Sequence, residues 1–350
     1  MRVLVTGSAG FIGSAVARAL EEADDEVDEI IRVDLMLPEA HGARTAPPGT
    51  HQLDVRTAGE PAWARLLDGV DVVCHQAAVV GAGVTVADLP SYASHNDLGT
   101  AALLAAMAAR GVDRLVLASS MVVYGEGRYT CAEHGRQHPA PRPLAALDAG
   151  RFENPCPVCA RPLAWEVVPE DAPLEPRSSY AASKVAQEHY ASAWARQAGS
   201  AVVALRYHNV YGPGMPRDTP YAGVAAIFRS SLERGESPQV FEDGDQTRDF
   251  VHVEDVARAN VAALRAVAAA PAEHVAAYNV ASGRPITIAE VARLLGRGTG
   301  IGPTVTGAYR PGDVRHIVAS ADRAAAELGF TAQIAPEDGI PEFATAPLRS

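Results

Sequence analysis

The chain begins Met1-Arg-Val-Leu-Val-Thr-Gly-Ser-Ala-Gly-Phe-Ile-Gly13. A β-branched run, Arg2–Thr6, comes directly before the first glycine, and apolar residues at helical spacing follow from Phe11 to Glu22. Glycines at such a turn let backbone N–H groups at a helix N-terminus approach a phosphate. The stretch therefore predicts the first βα unit of a dinucleotide-binding domain. The residues expected against the cofactor are Gly7, Gly10, Phe11, Ile12 and Gly13.

A second predicted strand, Glu29–Val33, ends at Asp34. A carboxylate at this position binds the adenosine ribose hydroxyls and repels a 2′-phosphate, so the sequence predicts NAD rather than NADP. Asp54 and Val55 close a later strand-like piece. They are candidates for contact with adenine, and a simple capping role for Asp54 is equally consistent with the sequence.

Length and composition limit the class of protein. The 350 residues are 48% hydrophobic, enough for one large α/β domain and a smaller one. The net charge of −12 argues against nucleic acid and acidic membranes as partners. No apolar stretch has the length of a membrane span, and no signal-peptide pattern precedes Arg2. We therefore expect a cytoplasmic protein whose four cysteines are thiols or metal ligands.

Predicted strands at 70–76, 114–119 and 201–207 alternate with predicted helices at 100–110 and 180–196. This alternation, with apolar strands, predicts an α/β fold of the Rossmann type, a doubly wound parallel sheet. The expected domains are an NAD-binding domain at 1–212, to which 246–270 returns, a Cys/His-rich insertion at 126–172, and a smaller C-terminal substrate domain at 213–245 and 271–335. A helix is expected at 221–234, and the last twenty residues are expected to be poorly ordered.

Tyr180 and Lys184 lie four residues apart on a predicted helix and so share one face. A nearby ammonium lowers the pKa of a phenol from about 10, and such a tyrosine can take a proton from an alcohol as hydride leaves the same carbon. Ser120 ends a predicted strand, where it could hydrogen-bond the reacting oxygen. The YxxxK pattern alone is common by chance, but its order after the glycine-rich turn and the serine strand favours catalysis.

Together these motifs resemble an extended short-chain dehydrogenase/reductase of the nucleotide-sugar epimerase/dehydratase branch. The resemblance covers about residues 1–125 and 173–330, and it rests on the glycine motif, Asp34, 119–125, the Tyr180/Lys184 pair, 206–212, 247–255 and 309–313. It implies that Ser120, Tyr180 and Lys184 are the catalytic triad, with Lys184 also holding the nicotinamide ribose. It further implies contact with NAD by Gln76, Ala77, Ala78, Asn96 and Tyr207. The implied substrate-binding residues are Ser120, Met121, Asn209, Arg248, Arg310 and Asp313. A homodimer through helices around 92–110 and 180–196 is also implied.

Sugar 4,6-dehydratases of this branch share Thr-Asp-Glu where this chain has Ser120-Met121-Val122. Methionine and valine cannot transfer protons, so the resemblance favours an NAD-dependent 4-epimerase that oxidises C4 and returns hydride to the opposite face. UDP- and dTDP-hexoses are both candidate substrates, and His208, where many relatives have Phe, favours a dTDP-6-deoxysugar. The alternatives are a dehydratase or 4-ketoreductase of the same family, and a non-catalytic NAD-sensing scaffold.

The insertion carries Cys131-x-x-His134 and, after 21 intervening residues, Cys156-x-x-Cys159. Two such pairs suit a tetrahedral structural zinc with no open position, and the segment has few core residues of its own. His138 could replace His134. The alternative is a mobile loop with free thiols. Because the insertion lies between Ser120 and Tyr180, it could also form a lid over the sugar.

Overall fold

The computed structural model describes residues 1–23, 26–42, 44–81, 85–217 and 223–349. Its first strand, β1 (Arg2–Thr6), lies inside a seven-stranded parallel sheet. Val3 and Val5 pack into the core on one face of the sheet, and Leu4 packs into the core on the other. Alternate side chains of a strand point to opposite faces, so a strand covered on both faces is apolar at every position.

The sheet confirms the predicted doubly wound fold. Along its width the strands lie in the order β13-β9-β5-β4-β1-β2-β3. The other members are β2 (Glu29–Asp34), β3 (Thr50–Gln52), β4 (Val72–His75), β5 (Arg114–Ser120), β9 (Ala201–Tyr207) and β13 (Val275–Val280). The chain winds outward in both directions from the neighbouring strands β1 and β4. Ligands bind at the carboxyl ends of the strands at such a switch point.

Helices cover both faces of the sheet. On one face lie α1 (Phe11–Glu21) and α9 (Val253–Ala269), and on the other lie α3 (Pro61–Leu67), α5 (Gly99–Ala109) and α7 (Ser179–Ala198). Shorter helices are α2 (Pro38–His41), α4 (Leu89–Tyr92), α6 (Leu144–Asp148) and α11 (Asp322–Leu328). A π-helical turn, Ala93–Leu98, joins α4 to α5. No helix within the described ranges combines the length and apolarity that crossing a membrane requires.

A second hydrophobic core lies beyond the sheet and includes Tyr211, Phe228, Phe250, Leu294 and Phe343. It is built by α8 (Val224–Glu233), α10 (Ile288–Gly296) and α12 (Pro336–Phe343), with short sheets of β10 (Asn209–Tyr211), β12 (Thr247–His252), β14 (Pro285–Thr287), β11 (Gln239–Val240) and β15 (Thr304–Val305).

Three details differ from the sequence predictions. Strand β13 pairs with β9 at the edge of the large sheet, so 275–280 belongs to that sheet and not with the rest of 271–335. Helix α8 begins at Val224, and residues 221–222 of the predicted helix lie outside the described residues. The last twenty residues are not irregular, because α12 buries Ile340 and Phe343 in the second core.

The insertion forms a small antiparallel sheet in the order β7-β6-β8, made by β6 (Arg128–Cys131), β7 (Gly135–Gln137) and β8 (Ala164–Glu166). Its hydrophobic cluster contains Tyr129, Cys131, Cys156 and Leu163, with Cys159 and Trp165 partly buried beside them. So few apolar side chains give a segment little stability of its own.

Candidate active site

The glycine-rich turn leads from β1 into α1 as the sequence predicts. A Cβ atom on Gly7 would lie 2.7 Å from the backbone nitrogen of Ala77, and one on Gly13 would collide with the carbonyl of Gly7. Gly10 is the N-cap of α1 and supplies no side-chain hydrogen bond to the first turn, which begins at Phe11 and Ile12. The N–H groups of this turn therefore face the switch point ready for an anion, so the site fits the pyrophosphate of a dinucleotide.

Asp34 ends β2 beside this turn. One carboxylate oxygen accepts a hydrogen bond from Ala9 N at 2.9 Å, and the other accepts one from Met36 N at 2.8 Å. Burial raises the pKa of this carboxyl, but the hydrogen bond from His41 and the two backbone N–H groups outweigh burial and lower it. Asp34 is therefore ionised at neutral pH, as binding of ribose hydroxyls requires.

Two residues beside Asp34 were not predicted from the sequence. The Nε2 atom of His41 lies 3.2 Å from Asp34. Arg349, from the segment after α12, donates hydrogen bonds to the carbonyl of Ala9 at 2.5 Å and to Nδ1 of His41 at 3.1 Å. Because Arg349 is more than 300 residues from the glycine turn, no local motif could have indicated this contact.

Asp54 takes the capping role that the sequence left open. Its side chain accepts a hydrogen bond from Arg56 N at 2.9 Å and forms an ion pair with the Arg56 guanidinium at 2.6 Å. Its own carbonyl accepts a hydrogen bond from Trp63. Val55 opens the short 3-10 turn that follows and is half-buried against the core under α5. Contact of either residue with adenine stays a prediction.

A network of hydrogen bonds between polar side chains supports the loop after β4. Tyr207 donates a hydrogen bond to Gln76 at 3.1 Å, and the Gln76 amide donates one to Asn260 at 2.9 Å. Asn96 is fully buried, and its side chain bonds both backbone groups of Val79 and the Ser183 hydroxyl. These residues support the loop that contains Ala77 and Ala78. Contact of Gln76, Ala77, Ala78, Asn96 and Tyr207 with NAD stays a prediction.

The three predicted catalytic residues meet above the carboxyl end of β5. Ser120 is the last residue of β5 and hydrogen-bonds the Tyr180 hydroxyl. Tyr180 stands in the first turn of α7, whose N-cap is Ser178, and one turn later Lys184 donates a hydrogen bond to the carbonyl of Ala118 at 2.9 Å. This arrangement can exchange a proton with an alcohol held at the serine.

The pKa of Tyr180 is raised, not lowered as the YxxxK spacing predicts. Burial raises it, and the hydrogen bond with Ser120 opposes burial without overcoming it. Burial also lowers the pKa of Lys184 to about 8, against a smaller opposing effect of Glu188. The ammonium hydrogen-bonds the carbonyl of Ala118 and not the phenol.

A buried ion pair supports the catalytic strand from behind. Arg206 donates hydrogen bonds to both Glu188 carboxylate oxygens, at 3.0 and 2.8 Å, and Ser119 donates one to the same carboxylate. Arg206 also bonds the Tyr124 hydroxyl at 2.8 Å. A buried pair of this kind is stable only with all its partners, so it ties β5, α7 and β9 into one rigid base.

The predicted substrate residues lie beyond this base. The guanidinium of Arg248 donates to three backbone carbonyls, those of Thr247, Val314 and Arg315. Arg310 is exposed and stacks over Phe241 at 5.1 Å. Within the described ranges no carboxylate lies at salt-bridge distance from either arginine, so both can bind an anion.

The remaining substrate candidates have different surroundings. The side-chain oxygen of Asn209 is buried and has no hydrogen-bond partner among the described residues. Met121 packs against the cluster around Val123 and Ile317 and brings no ionisable group to the site. Asp313 lines a cavity of about 90 Å³ against the insertion. Binding of a substrate diphosphate by Asn209, Arg248 and Arg310 stays a prediction.

The four cysteine and histidine residues of the insertion converge. Each offers one ligand atom, and these atoms all lie within 4.8 Å of one another. The Cys131 sulfur lies 3.5 Å from His134 Nδ1 and 3.8 Å from the Cys159 sulfur, and the Cys156 sulfur lies 3.7 Å from His134 Nδ1. Around a tetrahedral zinc, S–S edges of about 3.8 Å and S–N edges of about 3.6 Å follow from its bond lengths. The donor set therefore fits zinc in type and spacing.

The model of the NAD dependent epimerase/dehydratase family matches residues 3–144 and 162–281. The dTDP-L-rhamnose 4-epimerase of Burkholderia thailandensis is 34% identical to this chain over 358 residues, covering 98% of this chain and 94% of its own. The chain belongs to the NAD dependent epimerase/dehydratase family, as its motifs predict. Residues 145–161, which contain Cys156 and Cys159, lie outside the family match.

Two solved structures resemble the whole chain. The UDP-glucose 4-epimerase of Thermotoga maritima with UDP-glucose has a TM-score of 0.77 at 27% identity, covering 98% of this chain and 97% of its own. The dTDP-glucose 4,6-dehydratase of Streptomyces venezuelae with NAD bound has a TM-score of 0.75 at 27% identity, covering 98% and 96%. These similarities support an NAD-dependent enzyme of nucleotide sugars. Because epimerisation and dehydration both occur in this fold, only the residues of the site can distinguish the two reactions.

Proposed function

We propose that this protein is an NAD-dependent nucleotide-sugar 4-epimerase. The observation that carries the proposal is the sequence of the turn after β5. Ser120 joins Tyr180 and Lys184 in a complete set for oxidation of an alcohol, while Met121 and Val122 bring no ionisable group to the same turn. Removing water from the sugar would need an acid and a base there, whereas inverting C4 needs only the triad.

The protein residues have distinct parts in this reaction. Tyr180 takes the proton of the C4 hydroxyl and later returns it, and Ser120 hydrogen-bonds the same oxygen. Lys184 holds positive charge beneath the site. Bound NAD supplies the acceptor of the hydride and its source on return. Arg248, Arg310 and Asn209 bind the diphosphate, which stays anchored while the sugar turns over.

A dTDP-6-deoxyhexose is the substrate that we favour. The 34% identical relative is named a dTDP-L-rhamnose 4-epimerase, and it spans nearly the whole chain. His208 is buried, and burial lowers its pKa to about 3, so its imidazole is neutral. UDP-hexoses are the alternative class, as in the epimerase of Thermotoga maritima with UDP-glucose.

The test is incubation with dTDP-L-rhamnose, UDP-glucose and UDP-glucuronate in separate samples without added cofactor, followed by NMR of the products. We expect a 4-epimer of one sugar and no net change in NADH. Release of a 4-keto-6-deoxy sugar from UDP-glucose would overturn the proposal in favour of a dehydratase. In a further sample with added NAD, formation of a 4-ketose with one NADH for each sugar oxidised would identify a 4-ketoreductase working in reverse.

The insertion, we also propose, holds one structural zinc on Cys131, His134, Cys156 and Cys159. Bound zinc would crosslink the two ends of the insertion, because all four ligands come from the protein and no position stays open for chemistry. Metal analysis of the purified protein should give close to one equivalent. Less than about half an equivalent, with no effect of a chelator on stability, would contradict the site.

A homodimer is the proposed assembly, and its interface would include the turn before α5 and the outer face of α7. Leu98 and Tyr190 are 56% and 47% exposed there and would offer apolar surface to the second copy. The cytoplasm is the proposed location, since the described cysteines are all free and a zinc–thiolate site is stable in a reducing compartment.

The proposed domains are the two that the sequence predicts, with β13 assigned to the NAD-binding domain.

A further inference from the structure

The insertion packs against the segment 310–316, which Tyr129 of β6 contacts directly. Arg315 lies at the centre of this contact and is completely buried. It donates hydrogen bonds to Glu153 of the insertion at 2.6 Å, to Glu242 at 2.9 Å and to Asp243 at 2.7 Å. A buried guanidinium is stable only when carboxylates surround it, so the Glu153 contact fixes the insertion to this segment.

A second arginine, Arg142, belongs to the insertion and contacts residues outside it. Its side chain is 3% exposed and forms hydrogen bonds to both oxygens of Glu242, at 3.0 and 2.8 Å. It also donates one to the carbonyl of Asp313 at 2.8 Å. Arg142 and Arg315 thus share Glu242, and removing Glu242 would leave Arg142 without a carboxylate partner among the described residues.

The backbone of the same segment is held directly. The Tyr129 hydroxyl accepts a hydrogen bond from His316 N at 2.9 Å and donates one to His316 O at 3.3 Å. Glu153 reaches the His316 ring at 3.0 Å with its second oxygen. The ring of Tyr129 packs in the same small cluster as Cys131 and Cys156. One fully buried side chain therefore contacts both the proposed metal site and the 310–316 segment.

That segment in turn determines where Arg248 points. The guanidinium donates to the carbonyls of Val314 at 2.6 Å and Arg315 at 2.8 Å. The Arg248 side chain has no carboxylate partner among the described residues, so its hydrogen bonds to these two carbonyls fix its orientation. A shift of the 310–316 backbone would therefore turn Arg248, and it would move Arg310 and Asp313 with it.

We propose that Glu153, with Arg142 and Tyr129, is a positioning residue of the substrate site, through which the insertion holds Arg248 in its diphosphate-binding orientation. The insertion is then a required part of the substrate site and not a peripheral addition. The proposal rests on the proposed function for the identity of the ligand, but the positioning itself is a property of the fold. Zinc loss would act on Arg248 by the same route, through Tyr129.

The test compares Glu153→Gln with Glu166→Gln in the full-length protein with NAD bound. Glu166 is a matched control, because it too is a glutamate of the insertion that pairs with an arginine, in this case Arg128 within the insertion itself. Its side chain is 34% exposed, against 36% for Glu153. Three properties are measured: the Kd of dTDP and of UDP by calorimetry, the bound NAD, and hydrogen exchange of peptides covering 308–317. A zinc-chelated sample of the unchanged protein forms the third arm.

For Glu153→Gln we expect about tenfold weaker binding of the better nucleotide, faster exchange at 308–317, and unchanged NAD. On the nucleotide sugar this should raise KM with little change in kcat, and Glu153→Asp should restore part of the affinity. Chelation should reproduce the pattern, and Glu166→Gln should not. Unchanged exchange at 308–317 in Glu153→Gln would overturn the proposal. If the unchanged protein bound neither nucleotide, the proposed function would fail, while the exchange result would still decide the positioning.

Discussion

The ammonium of Lys184 lies 5.9 Å from the centre of the Tyr180 ring, while its hydrogen bond goes to the carbonyl of Ala118. The lysine is therefore held by the backbone of β5 and not by the phenol. Burial has the largest effect on the pKa of both groups, raising that of Tyr180 and lowering that of Lys184.

Replacing Tyr180 with phenylalanine removes the hydroxyl that we propose exchanges the C4 proton. We expect turnover to fall at least about a hundredfold, the usual size of a general acid–base contribution, with bound NAD unchanged. The measurement is the initial rate of epimer formation by NMR alongside release of NAD on denaturation. A Tyr180→Phe protein with unchanged turnover would favour the scaffold alternative.

The pH dependence of stability should contain the signature of Lys184. Its pKa is about 8 in the fold and near 10.5 when unfolded. Below pH 8 both states hold the proton, and the fold bears the cost of a buried charge. Between these values only the unfolded chain holds the proton, so the free energy of unfolding rises with pH, by up to about 1.4 kcal/mol per unit.

The check is urea unfolding of cofactor-free protein from pH 7.5 to 10, compared with Lys184→Met. The variant should lack the rise that the unchanged protein shows in this window. Parallel curves for the two proteins would mean that Lys184 is not titrating as a buried group.

Cofactor preference should depend on Asp34 and its two neighbours. In Asp34→Ser the carboxylate that repels a 2′-phosphate is gone, while His41 and Arg349 remain beside the ribose position. We expect NAD to bind about tenfold more weakly and NADP to bind more tightly relative to it. Fluorescence titration of the stripped protein with both cofactors measures the ratio. An unchanged ratio would place the ribose elsewhere.

The proposed dimer predicts a difference between two exposed leucines. Leu98 and Leu144 are 56% and 54% exposed, but only Leu98 lies on the proposed interface. A charge buried in an apolar interface is costly, so Leu98→Glu should shift the protein to monomers. Leu144→Glu should leave the dimer intact. Sedimentation velocity decides, and a monomeric unchanged protein would contradict the assembly.

Local patterns account for what the sequence predicted well. The β1–α1 turn, Asp34 and the Tyr180/Lys184 pair each lie within one or two adjacent elements, so spacing alone identifies them. The sequence does not predict that β13 belongs to the large sheet, because its six residues follow a helix without a glycine-rich boundary. The Tyr180 pKa was predicted in the wrong direction because burial has no signature in a four-residue spacing.

Contacts between distant segments account for what could not be predicted. Glu153 and Arg315 are 162 residues apart, and Arg349 and Ala9 are 340 residues apart. Arginines and glutamates in such positions look like ordinary surface residues in the sequence. The four zinc-ligand candidates were the exception, because metal geometry restricts residue type and spacing even in a segment without periodicity.

Lys184 is the only lysine in the 350 residues. Apart from the terminal amine, which is paired with Asp28 at 2.7 Å, amine-directed reagents have one target in these 350 residues, and it is buried beside Tyr180. Acylation or reductive methylation should therefore report on access to the cleft around Lys184. A ligand that fills this cleft should block the modification. The same scarcity makes covalent immobilisation through surface amines unsuitable for this enzyme.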